Sequence, residues 1–256
     1  MPPADSRTTP ALRGVRDLAL EPLEEASRAQ AVAQRLEHAI ALGIIPAGSA
    51  LPPESELAAQ MNVSLMTLRN SLAALRGRGL IRTKRGRQGG NFVVHTLSSD
   101  DQPLRQRLLA LDIDTIRDSR DYYTAISGKS AELAAVRARG RQLDRLAEAA
   151  EAVRSAKGAP EVVRCDSRFH LELAASTRSA SLTRAELAAQ NEIASLLWIP
   201  GLECQSTAQC ANEHLVIVAA IEQRDRAAAR LAAEGHLGDS MNRLIELRMS
   251  LTEETG

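Results

Sequence analysis

One aspartate and three histidines are spaced so that they could share a ligand: Asp166-x-x-x-His170, then His214, then His236. An Asp and a His four residues apart project from one helix face a single turn apart, so both can reach one ion. His214 and His236 flank Gln223-Arg224-Asp225, a polar break between two apolar segments. His214 lies about ten residues before the centre of that break and His236 about twelve after it, which places both roughly 15–18 Å from the turn at a helical rise of ~1.5 Å per residue. On antiparallel helices they meet at one height. Three imidazoles and one carboxylate suit a divalent ion, zinc foremost, with nickel or manganese as other options. A single histidine is more often a satisfied structural side chain. Spacing alone therefore leaves a metal site and a set of structural histidines both open. Only His38 and His95 fall outside the set. Cys165, Cys204 and Cys210 are too few, and odd in number, for a disulfide framework, and read as reduced thiols. Cys165 adjoins Asp166 but points about 100° away around the helix.

These side chains need a helical frame, and the sequence predicts one. From Leu104 onward Ala and Leu dominate, with helices expected near 104–111, 113–138, 142–156, 160–177, 181–198, 208–222 and 225–250. Breaks fall at Gly158-Ala159-Pro160, Ile199-Pro200-Gly201 and Gln223-Arg224-Asp225. Aromatic residues make up only 2% of the chain, so Ala, Leu, Ile and Val must build the cores.

A different pattern fills the front. Between Leu57 and Ser99 there are seven Arg/Lys and no Asp or Glu, although the whole chain is neutral. Such a run attracts phosphate backbones, because cations that neutralise phosphates release condensed counterions. Its periodicity predicts three helices, near 27–42, 53–61 and 64–78, then two short strands, 80–83 and 91–94, joined by a Gly- and Arg-rich turn. That is a winged helix-turn-helix. In this motif the N-terminal residues of the second motif helix enter the major groove. Ser64, Thr67, Arg69 and Asn70 are therefore candidate DNA contacts. Lys84, Arg85, Gly86 and Arg87 of the wing are candidates for the backbone or minor groove.

The expected fold class is mainly α. A flexible tail over 1–25 precedes a winged head over 26–96, a polar linker over 97–103 and an all-helical antiparallel bundle over 104–250. Residues 1–97 carry twelve Arg/Lys against eight Asp/Glu, whereas the remainder carries twenty against twenty-four. A basic front and an acidic back suit a nucleic-acid module joined to something else. No apolar run approaches the ~18–20 residues of a membrane span, and the N-terminus has no apolar h-region. The expected location is the cytoplasm, with no membrane partner.

Residues at fixed offsets carry a family resemblance. Gly48, Leu51-Pro52, Glu56-Leu57-Ala58, Val63-Ser64, Arg69, Leu72, Leu75, Gly79-Leu80 and the Gly-rich wing resemble the GntR family of bacterial transcription regulators over roughly 31–94. Two positions depart from it: the family usually has arginine where this chain has Leu65, and often a basic residue where it has Ser55. Leu65 can instead touch a thymine methyl group. Asp166-Ser167-Arg168-Phe169-His170, Glu213-His214 with Ala220-Ile221 and Asp225, and His236 look like the FCD domain of the FadR branch, over about 104–247. The resemblance implies a metal held by Asp166, His170, His214 and His236, beside a small organic acid effector. The family often has an Arg where this chain has Tyr123 and an Asn where it has Ser179. Arg120, one turn from Tyr123, could stand in, so Arg120, Tyr123 and Ser179 are the expected effector contacts.

The expected function is a metabolite-responsive repressor, a homodimer on a pseudo-palindromic double-stranded DNA operator, and no enzyme. Two alternatives accompany it: a regulator for which the ion itself is the signal, and a metal-dependent hydrolase with an appended DNA head.

Overall fold

The computed structural model describes residues 28–86, 89–94, 102–199 and 206–253. The expected tail 1–25, most of the expected linker, Arg87 and Cys204 lie outside the described residues.

The head is built from α1 (Arg28–Ala41), α2 (Glu54–Gln60), α3 (Leu65–Gly77), β1 (Ile81–Lys84) and β2 (Gly90–Val93). Pro53, at φ −50°, leads into α2, whose first turn carries Glu54 and Glu56 against the positive end of the helix dipole. Ser64 caps α3 by accepting from the Thr67 amide at 3.0 Å. Leu68, Leu72 and Leu75 of α3 close over Val32, Leu36 and Ile40 of α1. The strands pair antiparallel with Ile81 opposite Val93 and Lys84 opposite Gly90. A lone two-stranded hairpin is marginal in water. Here Ile81 and Val93 enter the head's core, and Ala50 adds a bridge to Phe92.

The second unit comprises α4 (Gln102–Ala110), α5 (Ile113–Arg137), α6 (Arg141–Ser155), α7 (Ala159–Ser176), α8 (Ala180–Leu197), α9 (Thr207–Glu222) and α10 (Arg226–Glu253). The long helices α5 and α10 pack along each other, while α9 lies against α6 and α10, and α7 against α6 and α8. Their core is rich in alanine: Ala131, Ala134, Ala135, Ala149, Ala150, Ala229 and Ala233 are buried together with Phe169 and Leu173. Small side chains let the helices approach closely. At Gly128 the approach is tightest, since an added Cβ would stand 2.5 Å from Cγ of Glu234 on α10.

One boundary differs from expectation. Helix α4 begins at Gln102, inside the segment expected as linker. Pro103 is compatible with this, because the first helical turn needs no amide hydrogen bond there.

Candidate metal centre and nucleic-acid interface

Helix α7 carries Asp166 and His170, α9 carries His214 and α10 carries His236, and all four are buried. The bundle brings them together. His214 and His236 meet across the α9–α10 hairpin with their Nε2 atoms 3.1 Å apart. Asp166 Oδ1 lies 3.4 Å from His214 Nε2 and 3.6 Å from His170 Nε2. Phe169 stacks on the His214 imidazole, centroids 3.7 Å apart, and so fixes its plane.

Cys210, which by residue type alone reads as a reduced thiol, belongs to this cluster. It stands one turn before His214 on α9, with Sγ 3.5 Å from Asp166 Oδ1 and 3.7 Å from His214 Nε2. One donor atom from each of Asp166, Cys210, His214 and His236 lies within 4.8 Å of all the others. The signal for it in the sequence is the spacing, for Cys210-x-x-x-His214 repeats that of Asp166-x-x-x-His170.

The electrostatics suit a cation. Burial holds His214 well below the usual histidine range, helped by the charges of His236 and His170, so its imidazole is neutral and has a lone pair to give. Burial alone would raise the Asp166 carboxyl. The hydrogen bond from His170 and the histidine charges outweigh it and hold Asp166 below the carboxylate range. Burial, and then the Asp166 charge, push the Cys210 thiol far up. Glu213 Oε2 accepts from His236 Nδ1 at 2.6 Å, which orients the ring with Nε2 toward the cluster. The Nε2 atoms of His214 and His236 face each other at 3.1 Å, a separation at which a proton or a metal ion can be shared between them. The donor set therefore fits a divalent ion. Nδ1 of His170 and of His214 has no partner among the described residues.

The cavity over this cluster is lined by Asp166, His170, Trp198, Cys210, His236, Ser240 and Arg243. Its volume of about 10 Å³ holds at most one water. Arg243 lies two turns after His236, with Ser240 between them, so i, i+4, i+7 spacing puts all three on one face. Of the expected effector contacts, Tyr123 is buried beside the cluster, its ring 6.0 Å from that of His170 and its hydroxyl bonded to the Gln190 amide. Arg120 and Ser179 are placed elsewhere. Arg120 pairs with Asp121 and donates to Asn242 at the surface, where its charge needs no buried partner. Ser179 is spent as the N-cap of α8, accepting from the Leu182 amide.

On the head, Ser64, Arg69 and Asn70 are exposed and Thr67 is half-buried. The Ser64 and Thr67 hydroxyls bond each other at 2.8 Å. Arg69 Nε donates to Glu54 Oε2 at 2.9 Å, so α2 holds this guanidinium in place. Leu65 and Met66 are exposed apolar residues at the start of α3. Lys84 and Arg85 are exposed, and Gly86 turns the wing at φ +114°.

The two units touch where α1 ends. Leu42 is buried with Val163 of α7 and Ala194 of α8, and Trp198 packs on the same cluster. Gly43, at φ +68°, lies under the Arg164 side chain, where a Cβ would come 2.7 Å from Cδ. Trp198 Nε1 also donates to Asp166 Oδ2 at 2.9 Å. A single indole thus links the apolar cluster shared by head and bundle to the donor cluster.

A winged DNA-reading head joined to a helical bundle with a buried donor cluster is the build of a two-domain DNA-binding regulator. Residues 28–93 match the model of the bacterial regulatory proteins of the gntR family, and residues 118–239 match that of the FCD domain. The chain is 37% identical over 231 residues to a putative HTH-type transcriptional regulator, RmpR, of Mycobacterium gastri, covering 90% of this chain and 84% of that protein. It is 30% identical to a putative L-lactate dehydrogenase operon regulatory protein of Escherichia coli K12, covering 80% and 82%. A solved GntR-family regulator from Pseudomonas syringae pv. tomato DC3000 has the same fold, with a TM-score of 0.51 at 20% identity, covering 90% of this chain and 89% of that one. The chain belongs to the GntR family of bacterial transcription regulators, in its FadR-like branch with an FCD domain. It is a DNA-binding regulator and not an enzyme, which removes the hydrolase alternative. Among the described residues no helix is long and apolar enough to cross a membrane.

Proposed function

We propose that this regulator is a metabolite-responsive repressor. It binds a pseudo-palindromic operator as a cytoplasmic homodimer and leaves it when a small carboxylate occupies the bundle. Asp166, His170, His214 and His236 hold a divalent ion, zinc by preference. When bound, that ion offers open coordination positions to a carboxylate oxygen. Arg243, which also donates to Ser240 Oγ at 3.0 Å, supplies positive charge on the same cavity wall. Ser64, Thr67, Arg69 and Asn70 face the major groove, and the wing with Lys84, Arg85, Gly86 and Arg87 lies on the backbone.

The observation that carries this reading is the buried convergence of one carboxylate and three imidazoles under a cavity of about 10 Å³. A carboxylate far larger than one water enters only if the helices move apart, so binding and rearrangement are coupled. The E. coli relative is named for an L-lactate dehydrogenase operon, and L-lactate, a small hydroxycarboxylate, is therefore a reasonable first effector to try.

The test is operator binding by the full-length protein, using a DNA site selected in vitro. Metal-loaded protein is titrated with L-lactate and a panel of other small carboxylates. Metal analysis should find about one ion per chain, lost on His214→Ala. One carboxylate should weaken operator affinity by roughly 5- to 150-fold, the usual span of allosteric coupling. An affinity indifferent to every carboxylate would sink the proposal.

A further inference from the structure

We infer that Cys210 is a further metal ligand in this chain, its thiolate joining Asp166 and the three histidines and adding one sulfur to their oxygen and nitrogens. The inference rests on the metal-centre reading above and adds a soft donor to it. The consequence is a site that prefers zinc and other thiophilic ions over manganese or magnesium.

The distances decide it. With metal–N/O bonds of about 2.0–2.1 Å and a metal–S bond of about 2.3 Å, a tetrahedron has N/O–N/O edges of about 3.3 Å and S–N/O edges of about 3.6 Å. The measured edges are 3.5 Å for Sγ to Asp166 Oδ1, 3.7 Å for Sγ to His214 Nε2, 3.4 Å for Asp166 Oδ1 to His214 Nε2 and 3.1 Å for His214 Nε2 to His236 Nε2. These four distances agree with donors around one shared ion to within about 0.2 Å, and the remaining two, from His236 to Asp166 and to Cys210, lie within 4.8 Å, so the His236 ring must swing inward to complete the set. Of the four, the sulfur edges are the longer ones, as a sulfur donor requires. His170 Nε2 lies 3.6 Å from the same Asp166 Oδ1 and so shares the site with Cys210.

Cys210 is 1% exposed and packs with Val153, Val162 and Ala211, yet its Sγ also lies against a carboxylate oxygen and an imidazole nitrogen, which core filling alone does not require. Ligation breaks the S–H bond, forms the S–metal bond and gives the proton to solvent, so metal uptake releases a proton. Cys165, on the far side of α7, lines the separate cavity between head and bundle and takes no part.

Cobalt(II) tests this in the full-length apoprotein. Thiolate ligation gives near-ultraviolet sulfur-to-cobalt charge transfer, and cobalt held by the protein's donors gives visible ligand-field bands. Wild type and Cys165→Ser should show both. Cys210→Ser should keep the ligand-field bands, lose the charge transfer and bind zinc at least ten-fold more weakly in a chelator competition, with manganese affinity nearly unchanged. Ligand-field bands without charge transfer in wild type would overturn the role of Cys210 and leave the metal centre standing, and this readout needs no variant. Absence of all cobalt bands and of bound zinc would overturn both.

Discussion

At the scale of single residues, burial sets the protonation of the groups around the donor cluster. Glu186 and Gln190 lie one turn apart on α8, both buried, and the Gln190 amide donates to Glu186 at 3.0 Å. Burial pushes the Glu186 carboxyl up to about 8, against the opposing hydrogen bond with Tyr123. The native protein therefore keeps a proton that the unfolded chain releases above its ordinary value of 4.5. Where the unfolded state binds fewer protons, stability falls as pH rises. The loss from Glu186 starts near pH 4.5 and levels off near pH 8. Glu186→Gln keeps a neutral hydrogen-bonding side chain and cannot titrate. In metal-free protein its stability relative to wild type should climb between about pH 5 and pH 8 by on the order of 1 kcal/mol per pH unit. Urea midpoints at three pH values measure this, and a difference constant with pH would show that Glu186 is ionised in the native state.

At the scale of elements, the wing is the simplest to test. Lys84 and Arg85 end β1 and enter its turn, both exposed. Removing one cation that neutralises a phosphate should lower the slope of log K against log salt by ~0.9. The double variant Lys84→Ala/Arg85→Ala should bind the operator more weakly with a slope shallower by up to ~2, and an unchanged slope would take the wing off the DNA. Such elements are legible in the sequence because their signals are local. Periodic leucines, the Ser64 cap and the breaks at Gly158 and Arg224 place the helices within a few residues of where they stand. The height of His214 and His236 on one hairpin is legible for a related reason, since helical rise turns residue counts into distance. Packing between helices distant in sequence is not. Arg120 is expected from an aligned position, but alignment does not tell which way a long side chain turns, and it turns to Asp121 and Asn242. Cys210 and Arg243 both repeat helical spacings with the expected ligands. Their residue types hide them, because a lone thiol and a lone guanidinium are common on any helix, and only the face they share with His214 and His236 sets them apart.

At the scale of the whole molecule, regulation requires that the bundle bias the head, and the structure offers a short physical route. Trp198 is the only tryptophan in the chain. Its indole donates to Asp166 Oδ2 while its ring packs against the cluster of Leu42, Val163 and Ala194 that joins head and bundle, near the tight approach of Arg164 to Gly43. A shift of Asp166 would be felt by the indole through this hydrogen bond, and by the head through the cluster that the indole packs against. Trp198→Phe removes the hydrogen bond and keeps a flat apolar ring. Because Trp198 is outside the donor set, the variant should still take up zinc with an affinity within about ten-fold of wild type, the lower bound for losing a partner of a ligand. Its operator affinity, measured zinc-saturated and chelated, should differ far less between the two states than that of wild type. If the route runs through both side chains, Leu42→Ala should add little to Trp198→Phe, giving a double-mutant coupling of roughly 0.5–3 kcal/mol, the range of residues coupled through shared packing. Wild-type tryptophan fluorescence should change on zinc addition in step with operator affinity. A Trp198→Phe protein that keeps the full zinc response would show that the head is driven through another side chain, and the remaining candidate on the same face is Arg164 of α7 over Gly43.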